Sequence, residues 1–125
     1  MSCMLHAAGR EFDVEAFLAD SPFQSYAVYG GAGTPSGFGL PVSDAEADDL
    51  RGQIRDAILF LDCHEEELRR LGSFPGVEVV ALDFGLRCKE AAAQTDSFPS
   101  ELLWRAGALD ITLQVSHLAI APRES

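Results

Sequence analysis

Lysine is all but missing from this chain. Lys89 is the only one, and eight arginines raise the basic total to nine against twenty aspartates and glutamates, a formal net charge of −11 in 125 residues. A surface of that sign repels phosphate backbones and anionic headgroups, because binding to either depends on cations that displace counterions. Nucleic acid and membrane are therefore not expected as partners, whereas a basic protein is electrostatically allowed. Cysteine is scarce as well. Cys3, Cys63 and Cys88 are odd in number and far apart, a pattern of buried or free thiols and not of a disulfide framework. No apolar run approaches the ~18 residues that suggest a membrane span. Met1 to Arg10 has neither a basic start nor a long apolar stretch, so no export signal is read there and a reducing, cytoplasmic location is expected. Internal repeats, linkers and low-complexity segments are also lacking.

What is present suits a soluble folded domain. Hydrophobic residues make up 47% and charged residues 23%, enough apolar material for one unstapled core, so residues 1–125 are read as a single domain. The apolar run Cys3 to Ala8 opens a sheet. Asp13 caps a short helix over 14–19, with Phe17 and Leu18 inward, and Ser21-Pro22 ends it. Ser25 to Tyr29 and Phe38 to Val42 read as strands joined by a glycine-rich loop, Gly30 to Gly37, with Pro41 pushing the second strand toward an edge.

Ser43-Asp44-Ala45-Glu46 matches a capping box, which predicts a helix start there. Leu50, Ile54, Ala57, Ile58 and Leu61 then recur at helical spacing as one face buried against the sheet. Leu68 and Leu71 continue that face past a kink near Asp62, and Gly72 stops it. Val77 to Leu86 is apolar on both faces, as a central strand is. Pro99 opens a helix to Ala106, docked by Leu102, Leu103 and Ala106, with Trp104 a core anchor or else an interface residue. Leu109 to Ile120 alternates: Ile111, Leu113 and Val115 on one side, Asp110, Thr112, Gln114 and Ser116 on the other, a half-exposed closing strand. The order β-α-β-β-α-β-α-β predicts an α+β fold. Helices pack on one face of a mostly antiparallel sheet, in a ferredoxin-like core with an added helix and strand.

Motifs with chemistry are weak. Cys63-His64 precedes Glu65, Glu66 and Glu67, but structural zinc wants two ligand pairs and the second is missing. Neighbours on a helix point about 100° apart, so Cys63 and His64 do not easily form a nucleophile–base pair; a buried or half-buried structural thiol and a solvated imidazole at a helix end are expected. The glycine-rich loop lacks the lysine and the following helix of a phosphate-binding loop. Asp83 inside the strongest strand and Asp110 before the last one do acid–base work only if they share a pocket; a lone acid on the open face, or one paired with Arg87 or Arg105, accounts for Asp83 without catalysis. No catalytic, cofactor-binding or metal-binding residue is assigned, and no cofactor is expected.

The segments FDVEAFL (12–18), SGFGLPVSDAEADDLRGQIRDAILFL (36–61) and FPSELLWRAGALDITLQVS (98–116) resemble a family of small bacterial α+β domains of unknown function. The resemblance covers most of the chain and implies no reaction, ligand or site residue. Arginine-rich, lysine-poor usage also suits a bacterial source. Function is therefore expected to be non-enzymatic binding, with a homodimer formed through the uncovered sheet face. Two alternatives stand beside it. One is an acidic inhibitor or immunity-type protein, presenting Asp44, Glu46, Asp48, Asp49 and Glu65 to Glu67 to a basic partner. The other is a small hydrolase or isomerase using Asp83, His6 or His117 on the open sheet face.

Overall fold

A computed structural model of the protein describes residues 3–24, 26–30, 34–88 and 92–118. Five strands are described: β1 (Cys3–Gly9), β2 (Ala27–Tyr29), β3 (Ser36–Ser43), β4 (Val79–Arg87) and β5 (Thr112–Leu118). They form one open sheet in the order β2-β3-β1-β4-β5. Pairing is antiparallel throughout except for β4 with β5, which are parallel. A parallel pair needs a crossover, and here it contains a helix. The helices are α1 (Val14–Ala19), α2 (Leu50–Cys63), α3 (Glu65–Gly72) and α4 (Ser100–Ala108). The α+β class and the mostly antiparallel sheet agree with the sequence reading, and four helices replace the expected three because the long one is divided at His64.

Alternation sets the two faces of the sheet. Cys3, Leu5 and Ala7 of β1, Phe38 and Leu40 of β3, and Val80, Leu82, Phe84 and Leu86 of β4 are all buried. Most of them join one core with Phe17, Ala57, Leu61, Leu68, Leu71 and Leu102 of the helices. The opposite face presents Met4, His6 and Ala8 on β1 beside Val79, Ala81 and Asp83 on β4. A carboxylate and an imidazole thus interrupt what the sequence suggested was an apolar patch.

Pro41 lies on a strand flanked on both sides, contrary to the edge assignment for the strand as a whole. The local reason is simple. β2 reaches only as far as Gly39, so Pro41 occupies a stretch paired on one side, next to the register shift opposite Cys3 and Met4, where a missing amide costs little.

The long helix begins later than the capping box implied. Asp49 is the cap, its carboxylate accepting from the Gly52 amide at 3.0 Å. The Ser43 hydroxyl instead accepts from the Ala45 amide at 3.1 Å and donates to Asp56 at 2.6 Å, so the serine closes a turn at the end of β3. The Glu46 carbonyl accepts from the Asp49 amide at 2.9 Å, which completes the bend into α2. Gln53, wholly buried, ties that bend to the sheet: its amide nitrogen donates to the carbonyls of Glu46 at 3.1 Å and Gly85 at 2.9 Å.

At the other end of the sheet two backbone turns cross at van der Waals contact. A Cβ on Gly9 would collide with the Gly76 carbonyl, and one on Gly76 with the Glu11 carbonyl. Gly76 also has φ +90°, a conformation L side chains avoid. The Glu78 amide donates to the Ala8 carbonyl at 2.9 Å just beyond, so these glycines let β4 enter beside β1.

The three described thiols are free: Cys3 is buried, Cys88 half-buried and Cys63 exposed. Burial pushes the Cys3 thiol up to about 12, and the charges of Asp83 and Asp56 add to it. The thiolate is the reactive form, so Cys63 alkylates first and Cys3 stays unmodified until the protein unfolds. Time-resolved alkylation read by mass spectrometry checks this order; early labelling of Cys3 would contradict the placement of β1 in the core.

Candidate functional site

The fold gathers Cys63, His64 and Glu65 to Glu67 with Asp20, Asp62 and Arg70 around a polar cleft of about 680 Å³. Cys63 is exposed at the end of α2, not buried or half-buried as expected, because it lies two residues past the core position Leu61. His64 is not the freely solvated residue expected: its ring packs 4.7 Å from Phe60 and 5.4 Å from Phe23, centroid to centroid. No group of three or more His, Cys, Asp or Glu side chains among the described residues is arranged to hold a metal ion. Residues 31–33, the middle of the glycine-rich loop, lie outside the described residues, as does the C-terminal tail.

On the open sheet face, Asp83 is neither paired with Arg87 nor with Arg105. Both of its carboxylate oxygens accept from the Ser116 hydroxyl, at 2.8 and 2.9 Å. Arg105 instead bridges Asp62 at 2.6 Å and Glu101 at 3.3 Å, holding α4 to α2. His6 faces Gly39 across the strand pair and meets Tyr29 edge-on at 6.4 Å. His117 pairs in register with buried Leu86, which puts it on the side of the sheet opposite Asp83. The three residues named for an acid–base site are therefore split between two faces. Asp110 stands apart as the left-handed residue, φ 58°, that leads into β5.

The acidic surface is also partly neutralised. Glu65 pairs with Arg69 at 2.8 Å and Glu67 with Arg70 at 2.6 Å. Burial opposes the charge on Glu67, yet hydrogen bonds from Arg70 and Ser21 and the Arg70 charge together hold its carboxyl below the usual range.

An apolar concavity lies elsewhere, between the flank of α2 and the chain leading into α4. Ile54, Ile58 and Leu59 form one wall and Phe98 and Pro99 the other, enclosing about 730 Å³, within the size range of ligand pockets. Helical spacing explains the α2 side. Gln53, Ala57 and Leu61 point to the core, which turns Ile58 and Leu59 progressively outward. Ile54, Ala57 and Leu61 of the expected stripe are buried in the core and Leu50 and Ile58 pack against it, while Leu59, outside the stripe, is 55% exposed, so the outer edge of the stripe also supplies one wall of a surface groove.

Arg51 and Arg55, one helical turn apart, border that groove. Arg51 has no hydrogen-bond or ion-pair partner among the described residues. Arg55 has only the adjacent Asp56, at 3.6 Å and with the arginine side chain 72% exposed, a contact worth little. The lining holds no carboxylate, thiol or imidazole. It has an apolar floor with two guanidiniums at its rim.

α4 departs most from its expected role. Leu102 and Ala106 dock it, but Leu103 is 50% and Trp104 72% exposed. With Leu102 and Ala106 four residues apart marking the inner face, Trp104 falls two residues from each and points away from the core. No family model, no curated protein and no solved structure matches the chain.

Proposed function

We propose that this protein is a non-enzymatic binding domain and that the groove between α2 and Phe98-Pro99 is its recognition surface. The observation that carries the reading is the pairing of an apolar floor with Arg51 and Arg55 on a chain of net charge −11. Cations are scarce here, Arg69, Arg70 and Arg105 are engaged in close ion pairs, and Arg51 and Arg55, without strong partners among the described residues, border one apolar concavity. Such convergence of an apolar pocket with a few polar groups marks binding sites. The direction of the strands supports a ferredoxin-like core for β1 to β4, with β1 and β2 parallel on either side of β3 and with α4 and β5 added beside β4.

An apolar dye with a negative charge, 1-anilinonaphthalene-8-sulfonate, tests the reading. The protein is expected to bind it at one site with enhanced, blue-shifted emission, while a cooperative melt shows that the dye is not reporting a loosened core. Ile58→Asp, which puts a carboxylate into the wall of the groove, is expected to weaken binding about tenfold or more, the scale of a buried anchor position. Equal binding by the two proteins would reject the groove.

A further inference from the structure

We infer that β5 is a docking edge on which a second copy of the chain adds its own β5, antiparallel about a two-fold axis at Val115, so that the two five-stranded sheets become one. The contact is separate from the groove, which lies on the α2 side of α4.

β5 ends the sheet, and no described strand pairs with its outer side. The Leu118 carbonyl accepts from the Cys88 amide at 3.2 Å. Alternate residues of a parallel pair turn their backbone groups to the neighbour, so Leu118, Ser116, Gln114 and Thr112 serve β4. Leu113, Val115 and His117 point their amides and carbonyls outward. An edge of this kind is a template for another strand, and proteins ordinarily blunt it with charge, proline, a bulge or brevity. The opposite edge has two of these devices: β2 is three residues long, and Pro41 lies where β3 runs past it. β5 has none. Its seven residues include no acid, lysine, arginine or proline, and its register with β4 runs without a shift.

The helical layer favours a second copy over a foreign strand. α4 packs on both α2 and β5. Arg105 reaches Asp62 of α2, which fixes the α2 side of the helix, while Leu102 and Ala106 point to the core. At about 100° per residue, Leu103 and Gly107 fall on the flank away from α2, above the free edge. Leu103 is 50% exposed there, and Val115, on the same side of the sheet as buried Phe84, is 37% exposed. A foreign strand extends the sheet but leaves that flank bare, whereas a second copy brings its own helix. A crossover helix sits over the strand pair that it joins, so the two copies of α4 would lie about two strand spacings apart, close to 10 Å. Packed helices lie about 8–10 Å apart, and a Cβ at Gly107 would meet nothing within 4 Å, so the flank has room for the approach.

Charge permits the contact. Two chains of −11 repel, but β5 and the Ser100, Leu103 and Gly107 flank carry no charge. Asp83 lies one strand in, so the two copies' Asp83 carboxylates stay more than about 14 Å apart, beyond the screening length of about 8 Å at physiological salt. The register centred on Val115 sets Val115 against its mate, Gln114 against Ser116 and Leu113 against His117. The outward residues then exchange both main-chain bonds in each of their pairs, about six bonds in all.

Sedimentation equilibrium and amide hydrogen exchange over one concentration series test the inference. The expected result is a mass rising from 13.5 kDa toward twice that value, with the Leu113, Val115 and His117 amides slowing about tenfold or more over the same range. Val115→Pro removes an outward amide and none that serves β4. It is expected to raise the dissociation constant of the dimer about tenfold or more while the far-ultraviolet spectrum is kept. Val115→Lys, which sets like charges opposite each other at the axis, is expected to do the same and replaces the proline variant if that one does not fold. Leu103→Asp, on the helix flank, is expected to weaken the dimer as well. A mass fixed at 13.5 kDa up to millimolar concentration, a mass that climbs past the dimer, or a dimer that Val115→Lys or Leu103→Asp leaves intact overturns the inference. Slow exchange of Leu113, Val115 and His117 in a monomer also overturns it, since another part of the same chain would then hold the edge.

Discussion

Phe17→Ala is expected to destabilise the protein by about 3–5 kcal/mol, the cost of deleting a fully packed aromatic ring, and to lower the thermal midpoint by well over about 10 °C. Phe17 is one of the largest fully buried side chains. Its ring lies 5.2 Å from Phe74 edge-on, 5.8 Å from Phe38 in a stack and 6.2 Å from Phe12, so no neighbour collapses into the void without breaking its own contacts. The outer face of the ring is capped by Arg70, whose guanidinium carbon sits 4.0 Å from the centroid while the same group donates to the Phe17 carbonyl at 2.9 Å. Loss of the ring therefore loosens Arg70, whose bond to the Phe17 carbonyl ties α3 to α1 and whose guanidinium pairs with Glu67 within α3. Because Glu67 is held below its ordinary value, its contribution is fully present above the unfolded carboxylate value and is lost as pH falls through the lowered one. Thermal and denaturant melts of the purified variant measure the loss; a change under about 1 kcal/mol would place Phe17 outside the core.

The second large effect is at Gln53. Gln53→Leu keeps the volume but strips the donor from two carbonyls, Glu46 and Gly85. The Glu46 carbonyl keeps the Asp49 amide, so the Gly85 carbonyl is the acceptor that loses most, and a loss of roughly 1–3 kcal/mol is expected. Gln53→Glu separates this from packing. A buried carboxyl facing two carbonyl oxygens has its pKa raised, so the folded state holds its proton more tightly than the unfolded one. Stability of that variant is then highest in acid and falls as pH rises above about 4.3, the ordinary glutamate value. Melts across pH check the slope. A Gln53→Glu protein as stable at neutral pH as in acid would show that the amide is not sealed between α2 and β4.

Local patterns explain how much of this was legible beforehand. The alternation in β1 and β4, the Asp13 cap and the 50-54-57-61 spacing are signals written within a few residues, and the folded chain uses them as written. The misread positions are those where one local signal competed with another. Ser43 and Asp49 are both capping residues, and Asp49 prevails because Ser43 is still engaged in β3 opposite Cys3. Leu103 and Trp104 are apolar residues beside core positions, and an apolar residue beside a stripe is as compatible with an exposed flank as with a core. The spacing of Leu102 and Ala106 did carry the information that Trp104 faces outward. The groove itself needs Phe98 brought against Ile54 and Ile58 across some forty residues, and no local pattern encodes that approach. Gln53 was missed for the same reason, since its two acceptors lie seven and thirty-two residues away.

The measurement that bears most directly on the account is a residue-resolved NMR titration of the labelled protein with 1-anilinonaphthalene-8-sulfonate, followed through backbone amides. The account predicts that the shifted amides cluster at Arg51 to Leu59 and at Ser97, Phe98 and Ser100, with the open sheet face unmoved. Shifts concentrated instead on Met4, His6, Asp83 and Gln114 would contradict it and move the binding surface to the other side of the sheet.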